Sequence, residues 1–158
     1  MSRAGAIFAT GVVVAIDAAK VRARVRFDDL DGMVSYWLRV PQTKTHQDKH
    51  YDMPDINEHV GCILDEHAED GMILAAVYSN ADTPPVSSAD KHHVTFSDGT
   101  VIEYDRSTHK LFADVKGDVE VKVTGLAKIV GDLRVEGNIN ATGNIIDGGA
   151  NTNHHSHT

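Results

Sequence analysis

A long alternation of apolar and polar residues is the most regular pattern in the sequence. From residue 111 to residue 145 every odd-numbered position is apolar or glycine, and nearly every even-numbered position is polar. The odd-numbered residues are Leu111, Ala113, Val115, Gly117, Val119, Val121, Val123, Gly125, Ala127, Ile129, Gly131, Leu133, Val135, Gly137, Ile139, Ala141, Gly143 and Ile145. Because successive side chains of an extended strand point to opposite sides, the alternation predicts β structure with one apolar and one polar face.

Glycines divide this alternating run, which is too long for one strand, since globular strands usually have about three to ten residues. From Gly125 a glycine recurs every six residues, at Gly131, Gly137 and Gly143, always in the apolar phase. A glycine lets the backbone kink or approach another chain closely. The spacing therefore predicts short extended segments that bend at regular intervals.

A single ribbon of this kind would leave its apolar face uncovered and both of its edges unpaired. Three chains around a three-fold axis would pair the edges and enclose the apolar faces in a thin core. The alternative is a set of antiparallel hairpins within one chain, but the run lacks Asn-Gly and Asp-Gly, the dipeptides that most favour tight hairpins. We therefore predict that several copies of the chain intertwine, and three copies would form a triple-stranded β-helix in a homotrimer.

The N-terminal half has the pattern of five short strands separated by turns. The predicted strands cover residues 12–16, 21–27, 36–40, 60–64 and 72–78. The polar segment between the third and fourth strands, residues 42–57, is predicted as a long loop with room for a short helix. Five short strands with one long excursion are typical of a small OB-like barrel, which we assign to residues 1–80. The fold class is thus all-β.

The remaining domain limits follow from changes in composition. Residues 81–91 are rich in Pro, Ser and Asp and are predicted as a linker. Asp98-Gly99 predicts a tight hairpin at the start of the next region, residues 92–147, which we assign to the hairpin and the triple-stranded β-helix shaft. Residues 148–158 lose the apolar phase and are predicted to form the tip.

Charge and composition exclude several function classes. The chain has 158 residues and a net charge of −8, and all of the excess lies in residues 41–90, which carry two Lys/Arg against ten Asp/Glu. A nucleic-acid-binding protein would be expected to present a basic face. No apolar stretch has the length of a membrane span or of a signal peptide, which predicts a protein made in a cytosol. The single cysteine, Cys62, excludes an intrachain disulfide and is predicted to lie in the core.

The candidate metal ligands are His155 and His157. In an extended chain these two imidazoles lie on the same side, whereas the neighbouring His154 faces the other way and is predicted to be a bystander. A three-fold axis would gather six imidazole nitrogens, and an octahedral nitrogen site suits iron(II) better than zinc, whose structural sites are four-coordinate. A disordered polar tail or an expression tag would also explain terminal histidines.

Other polar clusters are weaker candidates. Arg22, Arg24 and Arg26 form either a stripe for single-stranded nucleic acid or the polar face of a hairpin, and the absence of interleaved aromatic residues favours the hairpin. His46 and His50, with Asp48 and Asp52, offer metal-ligand chemistry in the long loop, but such residues are usually solvated. Asp65, Glu66, Glu69 and Asp70 are predicted to form a solvated rim. No nucleophile elbow, zinc-protease helix or phosphate loop is present, so we expect no enzymatic activity.

The barrel, the linker, the glycine-punctuated ribbon and the terminal His-Ser-His together resemble the baseplate assembly protein V family, the central spikes of contractile-tailed phages. The resemblance covers essentially the whole chain. It implies a homotrimer whose OB domain docks on the tail hub and whose triple-stranded β-helix tapers to a tip. It further implies one Fe²⁺ per trimer, held by His155 and His157 of each chain.

The resemblance also implies a purely mechanical action. The tip would be driven through the host outer membrane by sheath contraction, and the protein would be assembled in the host cytoplasm and located at the tail baseplate tip of the virion. The ribbon would reach on the order of 100 Å if straight, at roughly 3.3 Å per residue. Even after winding shortens it, that length is comparable with the roughly 30 Å hydrocarbon core.

Three alternatives remain open at this point. The spike of an R-type bacteriocin, or of another phage-derived contractile injection system, would share all of these parts. A nucleic-acid-binding OB-fold protein would require a basic surface and aromatic stacking positions. A metal-dependent hydrolase would require an open coordination position, which six histidines would not leave.

Overall fold

Nine β-strands and one 3₁₀ turn make up the regular structure of the part of the chain that is described. The computed structural model describes residues 5–68, 70–143 and 145, and divides the chain into two compact units, Met1–Asp114 and Val115–Thr158. The strands are β1 (Ile7–Asp17), β2 (Arg22–Phe27), β3 (Met33–Val34), β4 (Leu38–Arg39), β5 (His59–Leu64), β6 (Gly71–Ala76), β7 (Lys91–Thr95), β8 (Val101–Asp105) and β9 (Lys110–Asp114). The 3₁₀ turn covers Asp28–Leu30. The described chain is therefore all-β, as predicted.

Five of the strands close into a barrel. Around the ring the order is β1, β2, β4, β6 and β5, and β5 returns to β1; every pair is antiparallel except β4 with β6. The ring closes because β1 is long enough to pair with β5 through its first half and with β2 through its second. The predicted five-stranded barrel is confirmed.

Gly11 lies where β1 changes from one partner to the other. A Cβ atom at Gly11 would be 2.4 Å from the Arg26 carbonyl oxygen and 2.7 Å from Val25 Cγ1. Only a residue without a side chain allows β1 to pass so close to β2.

The interior of the barrel is built from the inward-facing phase of each strand. In β2, Ala23, Val25 and Phe27 are completely buried, whereas the arginines between them face outward. The rest of the core comprises Val13, Leu38, Val60, Cys62, Leu64, Ala68 and Ile73. Cys62 is a free buried thiol, as predicted, and burial raises its pKa to about 11.

The third predicted strand is shorter than expected and is preceded by a separate one. The prediction placed one strand at residues 36–40, but β3 and β4 are two-residue strands on either side of Ser35. The buried Ser35 hydroxyl accepts a hydrogen bond from the Val25 backbone N–H at 3.0 Å and donates one to the Tyr36 carbonyl at 2.8 Å. A side chain thus takes the place of a backbone partner and interrupts the strand.

The long loop between β4 and β5 contains no helix in the described chain, so that suggestion was wrong. The Gln42 amide instead bonds the backbone of Asp52 twice, donating to its carbonyl at 2.7 Å and accepting from its N–H at 2.8 Å. A bridge between Thr45 and Lys49 closes the inner part of the loop. These contacts hold the segment as an irregular hairpin.

Strands β7, β8 and β9 form a separate three-stranded antiparallel sheet, which we call the meander. The predicted hairpin at Asp98-Gly99 joins β7 to β8 and is confirmed. The strand β9, which includes Leu111, pairs with β8, so the alternating run begins inside a sheet of its own chain. Residues 77–90 contain no strand, and the predicted domain limits stay predictions.

The two faces of the meander differ in chemistry. Directly paired residues point to the same side of a sheet. One side, which we call the apolar meander face, carries Val94, Ile102, Tyr104, Leu111 and Ala113, together with His92 opposite Tyr104. The other, the charged meander face, carries Lys91, His93, Glu103, Asp105 and Lys110, with the apolar residues Val101 and Phe112 among them. In the described chain, no helix is long and apolar enough to cross a bilayer.

Candidate functional site

Residues 115–143, the part of the alternating run beyond the meander, contain no strand and no helix. The backbone bends at every glycine of the run, namely Gly117, Gly125, Gly131, Gly137 and Gly143. Gly131 and Gly137 have φ angles of +129° and +147°, in a region that residues with a side chain rarely adopt. The predicted bends at the glycine spacing are therefore present.

Residues 115–143, which we call the ribbon, expose their apolar side chains. Every residue of the ribbon is exposed, and its Val, Leu and Ile side chains retain between 37% and 86% of their accessible surface. The large aliphatic residues of the odd-numbered phase are Val115, Val119, Val121, Val123, Ile129, Leu133, Val135 and Ile139. None of these side chains is buried.

The polar phase of the ribbon forms local ion pairs. Glu120 and Lys122 pair at 3.0 Å, and Arg134 pairs with Glu136. Each pair joins residues two positions apart, which lie on the same side of an extended chain. Within residues 117–143, no backbone hydrogen bond joins one described residue to another. Within residues 117–143, part of the charge is thus paired locally, whereas the apolar side chains stay exposed and the backbone groups form no hydrogen bond with one another.

The predicted metal ligands His155 and His157, together with His154, lie outside the described residues. Among the residues that are described, no group of three or more His, Cys, Asp or Glu side chains is arranged to hold a metal ion. The alternative metal cluster in the long loop is therefore not formed. His50 instead bonds Thr43 Oγ1, and Lys44 pairs with Asp48 at 2.8 Å.

The arginines of β2 occupy the polar outer face of the barrel hairpin, as predicted. Arg24 Nε donates to the Ser35 carbonyl at 3.0 Å, and Arg26 Nε pairs with Asp28 Oδ1 at 2.8 Å. Arg22 lies directly opposite Arg39. Two of these three guanidinium groups are thus engaged in local contacts.

The acidic residues that follow β5 stabilise a turn. The Asp65 N–H donates to the Asp70 carbonyl at 2.8 Å, and Asp70 Oδ1 accepts from the Gly71 N–H at 2.8 Å. The described surface also has a cleft of about 450 Å³ between residues 55–59 and 76–82, lined by acidic, apolar and aromatic side chains. Neither place combines a nucleophile with a positioned base.

Comparison with known proteins found a relative that aligns with about two thirds of the chain. Over 103 aligned residues the chain is 30% identical to the spike protein of Escherichia phage P2. The chain is a homologue of this phage spike protein. The aligned region covers 65% of the chain and 47% of the relative, so the chain spans about half of the relative's length. No protein-family model matches the chain. The resemblance to a phage spike protein is thus confirmed.

Sequence reasoning missed one exposed apolar surface of the chain. It identified the apolar phase from Leu111 onward but did not extend that surface to β7 and β8. Part of the signal was present, because Val94 lies between His93 and Thr95, and Tyr104 lies between Glu103 and Asp105. The register between strands, which places these side chains beside Leu111 and Ala113, is visible only in the fold.

Proposed function

We propose that the chain is the central spike of a contractile phage tail, acting as a homotrimer that pierces the host outer membrane. The observation that carries this proposal is the ribbon. It has no strands of its own, bends at each glycine, is apolar along one phase, and leaves its Val, Leu and Ile side chains 37% to 86% exposed. Such a segment becomes stable only when other chains cover it.

Copies of the same chain satisfy both unmet requirements of the ribbon. Neighbouring extended chains supply partners for its backbone N–H and C=O groups. They also bury the odd-numbered Val, Leu and Ile residues, and fully burying such a side chain is worth roughly 1.5–3 kcal/mol. Winding three ribbons about one axis forms a stiff shaft with a thin apolar core, a triple-stranded β-helix, because the glycines allow a bend in every segment.

The spike homologue from phage P2 supports a role in a phage tail. Its name describes a spike, and the aligned region makes up 65% of the present chain. In the proposal the barrel attaches the shaft to the tail hub. Phe8, Ile63 and Met72 lie next to one another across β1, β5 and β6 and are exposed on the outside of the barrel. An exposed apolar patch of this kind is typical of a protein-binding surface.

The tip of the proposed spike is an iron site. Each chain supplies two imidazoles, from His155 and His157, and three chains supply six nitrogen donors, which fit an octahedral first-row metal ion. The bound ion would cross-link the three chain ends and hold the apex closed. The role of this site is structural, since six protein ligands leave no position for a substrate.

Light scattering and metal analysis of the untagged protein test the trimer and its tip together. We expect a trimer with about one iron per three chains. Replacing both His155 and His157 by Ala is expected to remove the iron while the trimer persists, because the ribbon core supplies most of the association. The matched control is His154→Ala, which is expected to keep the iron.

The contrary outcomes separate the parts of the proposal. A monomer would contradict the spike itself, and a trimer without metal would contradict the iron tip alone. Antibodies raised against the purified trimer are expected to label the end of the tail that lies opposite the capsid in electron micrographs. Labelling of tails that never carry a capsid would identify an R-type bacteriocin instead.

A further inference from the structure

The apolar meander face is more exposed than the charged face on the other side of the same sheet. On the apolar face Val94 is 40% exposed, Ile102 43% and Leu111 72%. On the charged face the side chains of His93 and Glu103 are only 11% and 14% exposed. This distribution is the reverse of what a solvent-facing sheet surface normally shows.

The charged meander face is satisfied within its own chain. Glu103 accepts a hydrogen bond from Lys91 Nζ at 2.7 Å and bonds His93 Nδ1 at 2.7 Å, while His93 Nε2 bonds Thr95 Oγ1 at 2.7 Å. On the outer strand, Lys110 Nζ lies 5.3 Å from the centre of the Phe112 ring. This face needs no partner.

We propose that the apolar meander face packs against the same face of two other copies of this chain, so that the trimer contact begins in the meander. The inference rests on the proposed trimer and deepens it. We identify the partner as another copy of the chain because Leu111 and Ala113 of this face are the first residues of the odd-numbered apolar series, which continues along the ribbon sequence. The copies that bury the odd-numbered residues of the ribbon in the proposed trimer can therefore also cover Leu111 and Ala113.

The chemistry of the face agrees with self-association. The face carries no Lys, Arg, Asp or Glu, and its one histidine, His92, lies on the outer strand β7, so three identical faces can approach without strong repulsion between like charges. Tyr104 can turn its apolar ring inward and keep its hydroxyl at the rim. The charged face, which has ionic groups of both signs, would remain on the outside of the assembly.

Cysteine cross-linking of the full-length protein tests which face lies between copies. The variants are Ile102→Cys on the apolar meander face and Val101→Cys, its neighbour on the other face. Val121→Cys, in the odd-numbered phase of the ribbon, serves as the reference for the trimer. With a short bis-maleimide linker, we expect covalent two-chain products from Ile102→Cys and Val121→Cys but not from Val101→Cys. The buried Cys62 thiol is common to all variants, and the unsubstituted protein reports its background.

Two results would overturn the inference. Cross-linking of Val121→Cys without Ile102→Cys would leave the trimer standing and show that the meander lies apart or binds a different protein. Equal cross-linking at positions 101 and 102 would show that the contact does not depend on the face. A failure of all three variants in a protein that is monomeric by light scattering would instead contradict the proposed function as well.

A second pair of variants gives an independent reading. Leu111→Asp places a charge in the proposed contact, and Phe112→Asp places the same charge on the opposite face of the same strand. We expect Leu111→Asp to raise the dissociation constant of the trimer more than about tenfold, and Phe112→Asp to change it much less, because burying an unpaired carboxylate is strongly unfavourable. Equal effects of the two variants would contradict the inference.

Discussion

Glu103 joins the charged meander face together, because its carboxylate bonds both Lys91 and His93. The hydrogen bond from Lys91 is the main reason that the pKa of Glu103 lies below its ordinary value of 4.5, and the hydrogen bond with His93 adds to the shift. The same contact with Glu103 raises the pKa of Lys91 above 10.5. Asp105 on the same face also has a lowered pKa, chiefly because the Ser107 hydroxyl donates to it.

These shifts predict how the stability of the meander depends on pH. A carboxylate with a lowered pKa stabilises the fold above its ordinary pKa, and the contribution is lost as the pH falls through the lowered value. A lysine with a raised pKa stabilises the fold below its ordinary pKa, and that contribution is lost as the pH rises through the raised value. We therefore expect Lys91 and Glu103 to contribute fully between about pH 4.5 and pH 10.5.

The measurement is the urea midpoint of the meander, followed through the NMR signals of the Tyr104 ring over a range of pH. In Glu103→Gln we expect the urea midpoint to fall less as the pH is lowered, because this carboxylate is no longer there to be protonated. Glu120→Gln is the matched control, because Glu120 also pairs with a lysine but is exposed in the ribbon, where an ion pair contributes little. If the urea midpoint of Glu103→Gln fell in acid as steeply as that of the unsubstituted protein, the role assigned to this contact would be contradicted.

At the residue scale, the sequence predicted which side chains face inward but not which polar contacts they make. The alternation in β2 correctly placed Arg22, Arg24 and Arg26 outside the core. Ser35 was not predicted to be buried, because its hydroxyl replaces a backbone partner of Val25 on another strand. A contact of that kind depends on the tertiary register and leaves no periodic signal in the sequence.

The bends of the ribbon depend on glycine, most directly at Gly131 and Gly137, where φ is positive. Gly131→Ala and Gly137→Ala place a side chain on a backbone whose φ is strongly positive, which costs on the order of 1–3 kcal/mol per site. We expect each variant to lower the thermal midpoint of the trimer. The cost is multiplied by three copies in the assembly, so differential scanning calorimetry should detect it readily.

Gly125→Ala is the control for these variants. Gly125 belongs to the same six-residue series and the chain also bends there, but its φ is not positive and a Cβ would meet no atom of the chain within 4 Å. We expect a smaller loss of stability. A loss equal to that of Gly131→Ala would show that close packing between chains, and not the backbone angle, explains the glycine spacing.

At the element scale, strands were predictable where a turn marks their ends. Asp98-Gly99 identified the β7–β8 hairpin because this dipeptide favours the required turn. The end of β9 was not predictable, since the alternation passes from Asp114 to Val115 without any change in the pattern. The sequence shows the same period on both sides of that point, although only the first part pairs with another strand of its own chain.

At the scale of the whole molecule, the barrel and the ribbon obtain their stability from different sources. The barrel closes its hydrogen-bonded ring and buries its core within one chain. The ribbon does neither in the described residues. Its need for other chains could be predicted from the alternation alone, because an apolar face without a cover is unstable in water. The alternation does not predict how many chains assemble. The choice of three rests on the resemblance and on the two histidines per chain, which would give six ligands.

This difference predicts that the trimer can be disrupted without unfolding the barrel. Val121→Asn combined with Leu133→Asn places two polar groups per chain in the proposed core. An unsatisfied buried amide costs roughly 1–3 kcal/mol, so the penalty is on the order of 10 kcal/mol per trimer. We expect light scattering to show monomers. The fluorescence of Trp37, the only tryptophan, and hydrogen exchange in β2 and β5 should report an intact barrel.

The matched control changes the neighbouring positions of the polar phase. Lys122→Asn combined with Arg134→Asn removes two exposed ion pairs, which contribute little, and should leave the trimer intact. If both double variants dissociated, the polar phase would also lie in the contact and the alternation would have been misread. If the first double variant lost barrel protection together with the trimer, the barrel would depend on assembly, although its core lies within one chain.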